Sequence, residues 1–312
     1  MKNPLPYLLL IASTLPCACH SSPADTATDV LSTTVAKDIA SSGDAVQTLT
    51  NRVKASLRML KAGTFEMGDW GNENGLPYDM EPDSRPLHKV TLDAFSMMAY
   101  KVTYDDFDVF TDAIGMERID ISRSAAKHRS PKRPAGVSWY GADAYCKWLG
   151  KTTGLAFALP TKAQWEYAAR SGGQRLLYAT DNGKIDYGRN YPPEWKDGPE
   201  PGLSNVGSFP ANPAGLYGMS EETFEWVADW YDPKYYKTSP QMNPSGPKVG
   251  AKKVHRGKLG GSAEAFALVF ARGKEEPQQV ADHYSYDTGK STTTPLPGYS
   301  GYFTSAFRCV VN

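Results

Sequence analysis

The residue types that most often carry catalysis or bind metals are few in this chain and widely separated. Among its 312 residues the chain has four cysteines and five histidines. They are Cys17, Cys19, Cys146, Cys309, His20, His88, His128, His255 and His283. The five histidines are scattered and form no zinc or iron motif, and the chain contains neither a Gly-x-Ser-x-Gly elbow nor a phosphate loop. We interpret His255, next to Arg256, as a residue at a strand edge rather than a catalytic base.

The charge balance argues against two further functional classes. The 34 Lys and Arg residues equal the 34 Asp and Glu residues, so the formal net charge is zero. Nucleic-acid binding and polybasic membrane attachment both need an excess of positive charge, which is not present. Aromatic residues make up 12%, and the chain has 28 Gly and 23 Pro. This composition is typical of a loop-rich globular domain with large buried rings.

The first residues resemble an export signal. Lys2 precedes a short apolar run, Leu8 to Ala12, and small residues follow it. The run is too short to span a bilayer. We therefore predict export to the periplasm, with attachment to the outer membrane as an open alternative if Cys19 is lipidated. The competing interpretation is a buried N-terminal helix.

Two cysteines remain in the mature domain, Cys146 and Cys309. In an oxidising compartment they either form a disulfide or remain two separate buried thiols. A disulfide that closes so long a loop would stabilise the fold by roughly 4 to 5 kcal/mol in the entropic model.

Local signals predict the elements that position these residues. Strands are predicted at residues 63–68 and 88–92. Three helices are predicted after Thr103, Ser138 and Thr161, each of which is an N-cap residue. The inward face of the first helix is predicted to be Tyr104, Phe107, Phe110 and Ile114. After the third helix, nearly fifty residues lack periodicity and need aromatic rings, a metal or a partner to become ordered.

A further helix is predicted within residues 38–60. Val46, Leu49, Val53, Leu57 and Leu60 form one apolar stripe there. The helix either packs on the domain or forms an arm that binds a partner. We predict a signal at 1–19, a linker and amphipathic helix at 20–61, and one domain at 62–312.

A series of short motifs covers most of the chain from Gly63 to Asn312. They are Gly63-Thr64-Phe65-Glu66-Met67-Gly68, Pro134-Ala135-Gly136-Val137-Ser138-Trp139, Leu159-Pro160-Thr161, Gln164-Trp165-Glu166-Tyr167-Ala168-Ala169-Arg170, Gly215-Leu216-Tyr217-Gly218-Met219, Glu225-Trp226, Gly260-Gly261-Ser262 and Phe307-Arg308-Cys309. In this order and spacing they resemble the formylglycine-generating enzymes, or sulfatase-modifying factors. The resemblance implies an α+β, C-type-lectin-like fold with little regular secondary structure.

The same resemblance predicts that the chemistry of the family is missing. The enzymes use two copper-binding cysteines, three and eight residues after the serine of Gly-Gly-Ser. Counted from Ser262, these positions hold Ala265 and Phe270. Neither side chain can bind copper(I), which selects soft sulfur ligands. We predict no catalytic residue, no copper and no formylglycine-generating activity.

Two structural features are also implied by the family. Its members pair the cysteines that match Cys146 and Cys309, and they bind calcium. One calcium site corresponds here to Glu225 with Glu222, and the other to Asn190, Tyr191 and Asp197. These oxygen-bearing side chains are either calcium ligands or solvated surface groups.

The function implied is a non-catalytic periplasmic module that binds a protein. One periplasmic member of the family promotes type VI secretion by acting on the periplasmic region of a membrane threonine kinase, and this chain is similar in its signal, size and missing cysteines. The predicted partner-binding residues are Tyr299, Tyr302, Glu264 and Phe266. The alternatives are a metal-dependent enzyme of altered chemistry, built on the acidic residues Glu221 and Glu264, and a sugar- or surface-binding module.

Overall fold

The structure is a computed structural model, and it describes residues 43–120, 126–194, 203–221, 223–257, 264–285 and 290–312. The chain divides into two compact units, Met1–Gly43 and Asp44–Asn312. Apart from Gly43, the first unit lies outside the described residues, and so do the predicted export signal, Cys17 and Cys19. The second unit contains every element described below.

Four α-helices occur in the described ranges, and three of them begin at the predicted caps. They are α1 (43–56), α2 (Tyr104–Ala113), α3 (Trp139–Thr153) and α4 (Lys162–Ala169). Thr103 and Asp106 form a reciprocal capping box at α2, and Thr161 with Gln164 does the same at α4. Each box satisfies two backbone donors that a helix start leaves free. None of the helices in the described ranges is long and apolar enough to cross a membrane.

The strands are short. They are β1 (Leu57–Leu60), β2 (Gly63–Met67), β3 (His88–Leu92), β4 (Phe95–Met98), β5 (Phe157–Ala158), β6 (Phe224–Trp230), β7 (Lys253–Arg256), β8 (Arg272–Glu275), β9 (Val280–Ser285), β10 (Lys290–Pro295), β11 (Ser305–Ala306) and β12 (Val310–Val311). Four 3-10 helices cover Pro82–Ser84, Ala126–His128, Tyr235–Lys237 and Glu264–Ala267. The two strands predicted at 63–68 and 88–92 are confirmed.

The described strands form small sheets with a mostly antiparallel arrangement. One sheet has the order β1-β4-β12-β5 and another has β11-β6-β7-β8, while β2 pairs with β3 and β9 with β10. β11 runs parallel to β6. Long irregular segments join these sheets, as between α4 and β6. The architecture is therefore α+β with little regular structure, as expected.

Helix α1 belongs to the domain. Leu49 and Val53 are buried in an apolar cluster with Phe107, Cys146 and Cys309. The strand that follows, β1, pairs antiparallel with β4. The helix is thus packed on the domain, and the compact unit starts at Asp44 rather than at residue 62. The predicted domain start at residue 62 is too late. An amphipathic helix has the same sequence pattern whether it packs on its own domain or on another protein, so the pattern does not place it inside the domain.

Two local expectations need correction. Ile114 is 40% exposed instead of facing inward, because α2 ends at Ala113 and Gly115 then adopts a left-handed conformation with φ of 68°. His255 does not lie at an edge: its strand, β7, is flanked by β6 and β8. A side chain at Gly273, its cross-strand partner on β8, would collide with the imidazole, so the tight β7–β8 packing needs glycine there.

Candidate functional site

Phe270, at the second position where the enzymes have a cysteine, lies in an aromatic cluster. The cluster consists of Trp70, Tyr78 and Phe270. Phe270 is fully buried, and the ring of Trp70 packs edge-on against it with centroids 4.9 Å apart. The Tyr78 ring lies 6.3 Å from each of the other two. A phenyl ring in these contacts occupies volume that a cysteine would leave open, so this position serves core packing.

A buried ionic network holds the backbone at Phe270. Arg256 donates to the carbonyl oxygens of Phe270 (3.0 Å) and of the preceding residue (2.7 Å). Glu166 accepts from Arg256 at 2.7 Å and from Arg170 at 3.0 Å. None of these three charged side chains is more than 1% exposed. Buried charges are tolerated only when they are paired and hydrogen-bonded, so the network rigidly supports the aromatic cluster.

This network is not predictable from the sequence pattern. The four-residue spacing of Glu166 and Arg170 on α4 was the only local signal. Their partner Arg256 lies on β7 and could not be assigned from spacing alone.

The Gly-Gly-Ser motif and the first replaced cysteine position are only partly described. Gly260, Gly261 and Ser262 lie outside the described residues. Ala265 and Phe266 lie in the 3-10 helix Glu264–Ala267, but their side chains lie outside the described part of the structure.

Glu264 has an exposed side chain that accepts hydrogen bonds from two tyrosines, Tyr178 and Tyr187. Burial, together with the charge of Glu264, raises the pKa of Tyr178 to about 12. The Tyr178 hydroxyl therefore stays protonated at neutral pH and remains a donor. The two tyrosines and the carboxylate form a polar rim, and Tyr178 also packs against the core cluster that contains Phe270.

Both cysteines of the described ranges are joined in a disulfide, so neither is a free thiol. In the described ranges no group of three His, Cys, Asp or Glu side chains could hold a metal ion. Burial, together with the smaller effect of the Arg256 charge, lowers the pKa of His255 to about 3, so the ring is neutral. Its ring stacks on Phe224 with centroids 3.9 Å apart. His255 is thus a core residue.

Cys146 and Cys309 form a disulfide, with Cα atoms 5.7 Å apart. Cys146 lies on the buried face of α3, and Cys309 immediately precedes β12. Both are fully buried. The predicted disulfide is present, and it links the middle of the domain to its C-terminal strand.

Glu225, predicted as a calcium ligand, is instead bound by an arginine. Arg308 donates from Nε to Oε2 at 2.7 Å and from Nη2 to Oε1 at 2.9 Å. Arg308 also donates to the carbonyl oxygens of Ala99 (2.9 Å) and Tyr217 (2.6 Å). Both carboxylate oxygens of Glu225 are occupied by one fully buried guanidinium. This arrangement does not fit a calcium site at Glu225, and Glu222 lies outside the described residues.

A small cavity is lined in part by Tyr217, whose carbonyl oxygen accepts from Arg308. Stacked rings of Tyr100 and Tyr217, with centroids 4.6 Å apart, form part of its wall together with Lys101, Glu221 and Thr223. Glu221 and Glu264 therefore have different neighbours, and in the described ranges they do not belong to one metal-binding group.

The second predicted calcium site is described only in part. Asn190 is buried, and its side-chain oxygen accepts from the backbone nitrogen of Asp186 at 2.8 Å. Its amide nitrogen donates to Asp181 at 2.7 Å and to the carbonyl oxygen of Lys184 at 3.1 Å. Tyr191 follows and is also buried. Asp197 lies outside the described residues, so calcium at this site stays a prediction.

The predicted partner-binding tyrosines differ in exposure. Tyr299 is half-buried and stacks on Phe110 with centroids 5.9 Å apart, so it is mainly a packing residue and not the exposed side chain expected from its glycine-rich loop. Tyr302 is 37% exposed, and the neighbouring Phe303 is 38% exposed. The exposed aromatic surface at this loop therefore consists of Tyr302 and Phe303.

The loop of Tyr302 contacts the Pro-Ala-Gly-Val-Ser-Trp turn. Gly301 donates to the carbonyl oxygen of Gly136 at 3.1 Å, and Ser138 donates to that of Tyr299 at 2.9 Å. A Cβ at Gly136 would lie 2.7 Å from the carbonyl oxygen of Tyr302, so only glycine permits this approach. Trp139 is half-buried, and its indole donates to the carbonyl oxygen of Val227 at 2.9 Å.

A family model matches most of the chain. The model of the sulfatase-modifying factor enzyme 1-like domain matches residues 43–286. The formylglycine-generating enzyme of Streptomyces coelicolor is 32% identical over 250 residues, which cover 64% of this chain and 76% of that enzyme. A mouse relative named inactive C-alpha-formylglycine-generating enzyme 2 is 37% identical over 109 residues, which cover 31% of this chain and 32% of that protein. The relatives therefore include a protein described as inactive.

Similarity also extends to proteins named as kinases. Serine/threonine-protein kinase pkn1 of Chlamydia pneumoniae is 31% identical over 253 residues, covering 75% of this chain. The match spans 37% of the chlamydial protein, so this chain corresponds to about a third of that relative's length.

Two solved structures share the fold. PvdO from Pseudomonas aeruginosa superposes with a TM-score of 0.56 at 23% identity, and Treponema denticola variable protein 1 with 0.55 at 19% identity. Each comparison covers 82% of this chain and 94% of the other. At this identity the likeness establishes the fold alone.

Proposed function

The chain belongs to the family defined by the sulfatase-modifying factor enzyme 1-like domain, and we propose that it is a non-catalytic member that acts by binding another protein. The observation that carries the proposal is Phe270. A fully buried ring packed on Trp70 occupies a position where the enzymes need a thiolate. Ala265, at the other position, cannot supply one. Without this pair of sulfur ligands the site cannot hold copper(I) in the manner of the enzymes.

The proposed location is the periplasm. Its support is the N-terminal sequence, which resembles an export signal, together with the disulfide between Cys146 and Cys309, since disulfides persist in oxidising compartments. Export would also make a partner in the cell envelope accessible.

The proposed partner is the periplasmic region of a membrane threonine kinase. In the chlamydial relatives a region similar to this chain is part of a protein named as a serine/threonine kinase. We infer that this chain associates with a kinase, and that this contact promotes kinase activation in type VI secretion.

The binding experiment uses the purified mature protein and the purified periplasmic region of a membrane threonine kinase from the same cell envelope. We expect saturable binding by calorimetry and increased kinase autophosphorylation when the full kinase is reconstituted. The Tyr302→Ala, Phe303→Ala variant should bind more weakly, because it removes the exposed aromatic rings. Leu155→Ala, at a 38% exposed residue after α3, serves as the matched control. Absence of binding by the wild type would refute the kinase assignment.

A separate experiment addresses the absence of catalysis. The protein is incubated with a sulfatase-type cysteine peptide and oxygen, with and without copper, alongside an active formylglycine-generating enzyme. We expect aldehyde only from the active enzyme. Turnover by this chain would refute the non-catalytic proposal, and a stoichiometric redox metal in the purified protein would favour the alternative of a metal-dependent enzyme.

A further inference from the structure

Two buried cations, Arg308 and Lys101, contact one turn, which comprises the described residues 217–221 and 223–226. In the relatives, the corresponding stretch contains the calcium-binding Gly-Asn-x-x-Glu-Trp segment. Here that segment is 221–226. Arg308 comes from the chain before β12, and Lys101 comes from the chain before α2. These two chain segments are joined directly, since Val102 donates to the carbonyl oxygen of Phe307 at 2.9 Å. One pair of adjacent backbone segments therefore delivers both positive charges.

Lys101 makes the contacts that a bound cation would make. Its ammonium donates to the carbonyl oxygen of Thr223 at 2.9 Å and to the Thr223 hydroxyl at 2.6 Å. Lys101 is only 4% exposed and Thr223 only 2%. A backbone carbonyl, a hydroxyl and nearby carboxylates are the hard oxygen ligands that calcium selects. Here a lysine ammonium interacts with these oxygens instead.

The acidic side chain of the turn is close to the same lysine. A Cβ placed on Gly218 would lie 3.4 Å from Oε2 of Glu221 and 3.9 Å from Cε of Lys101. Glu221 and Lys101 also line the same cavity. Glu225, on the other side of the turn, is neutralised by Arg308. Of the described carboxylates in the segment, Glu225 is thus paired with Arg308, and Glu221 lines the same cavity as Lys101.

We propose that the Lys101 ammonium replaces a calcium ion in this turn, so that its described residues, 217–221 and 223–226, fold without metal. The proposal concerns this turn only and does not depend on the protein partner. It leaves the predicted site at Asn190 open, because that site uses other residues.

Hydrogen–deuterium exchange of the peptide spanning 217–226 tests the proposal locally, so that calcium bound at Asn190 does not obscure the result. The proteins are wild type, Lys101→Met and Lys253→Met, each in EGTA and in excess calcium. Methionine keeps the length of the lysine chain and removes its charge. Lys253 is the matched control, because it is also buried and its ammonium also donates to a carbonyl oxygen, that of Ala228, at 2.9 Å.

In the wild type and in Lys253→Met we expect exchange in this peptide to be the same with and without calcium. In Lys101→Met without calcium, exchange should be about tenfold faster or more, because two hydrogen bonds from a charged donor are lost. Calcium should restore part of the protection in that variant. Slower exchange of the wild type in calcium would overturn the proposal. The proposal would also be wrong if Lys101→Met exchanged as slowly as the wild type without calcium, or if calcium did not slow exchange in that variant.

Discussion

The rings of Phe270 and Trp70 pack edge to face, with centroids 4.9 Å apart. Trp70 lies in the loop after β2, and Phe270 lies just before β8. Their contact joins two loops that are distant in the chain and closes the place where the enzymes of the family keep a reactive thiol. At a position where the enzymes have a cysteine, this chain thus has a ring that forms a packing contact.

Replacing Phe270 by alanine should lower the free energy of unfolding by about 3 to 5 kcal/mol, because a fully buried ring would leave a cavity next to Trp70 and Tyr78. Urea denaturation followed by tryptophan fluorescence measures the change. The control is Phe303→Ala, whose ring is 38% exposed and should cost about 1 kcal/mol or less. A loss for Phe270→Ala no greater than that of the control would show that this ring is not a packing residue.

Loss of the Cys146–Cys309 disulfide should destabilise the protein by about 2 to 5 kcal/mol, since it closes a loop of 163 residues in the unfolded chain. The Cys146→Ala, Cys309→Ala variant is compared with the oxidised wild type by urea denaturation. Peptide mapping without reduction should recover the two cysteines as one cross-linked peptide. Recovery of two free thiols from exported protein would contradict the assignment.

Glu225 and Arg308 should be strongly coupled. Glu225→Gln or Arg308→Met alone should cost about 3 to 5 kcal/mol, because each leaves a buried charge without its partner. The double variant should lose clearly less than the sum of the two single losses. Urea denaturation of the wild type, the two single variants and the double variant gives the four free energies of this double-mutant cycle. If the two losses simply add, the two side chains are not paired in solution.

Lys162 should make stability depend on pH. Its ammonium is buried over the rings of Tyr235 and Tyr236, at 4.0 and 4.7 Å, and finds no hydrogen-bond partner among the described residues. Burial lowers the pKa of Lys162 to about 7 in the folded protein, against an ordinary value of 10.5. Between these two values the unfolded chain binds the proton that the folded protein has released. Stability should therefore rise with pH from 7 to about 9, by at most about 1.4 kcal/mol per pH unit.

The variant that tests this pH dependence is Lys162→Met, in which the rise in unfolding free energy between pH 7 and 9 should become smaller. Lys147→Met is the control: the Lys147 side chain is 67% exposed, and its loss should leave the rise unchanged. An equal rise in wild type and Lys162→Met would show that another group is responsible.

Tyr302 should contribute to partner binding through its ring rather than its hydroxyl. The hydroxyl already donates to the carbonyl oxygen of Val280 at 2.8 Å, whereas part of the ring is exposed. Tyr302→Ala should weaken binding of the kinase region by about 1 kcal/mol or more and change the melting temperature little. Tyr299→Ala should mainly lower the melting temperature, because Tyr299 packs on Phe110. If Tyr302→Ala lowered the melting temperature and left binding unchanged, while Tyr299→Ala weakened binding, the interface would not include Tyr302.

The sequence alone predicted those features that depend on neighbours in the chain. The N-caps at Thr103 and Thr161 were predictable because each side chain binds a backbone group within three residues, one that every helix start leaves free. The family, and the replacement of both catalytic cysteines, could likewise be read from motif order and from the identities of Ala265 and Phe270.

The tertiary structure decided which distant side chains pair. Glu225 was predicted as a calcium ligand, but it is paired with Arg308, 83 residues away, and Lys101 reaches Thr223 across 122 residues. The sequence shows that a carboxylate is present, but not whether a metal or a guanidinium neutralises it. That choice depends on which cation the folded backbone buries beside it, because charges pair strongly only where water is excluded.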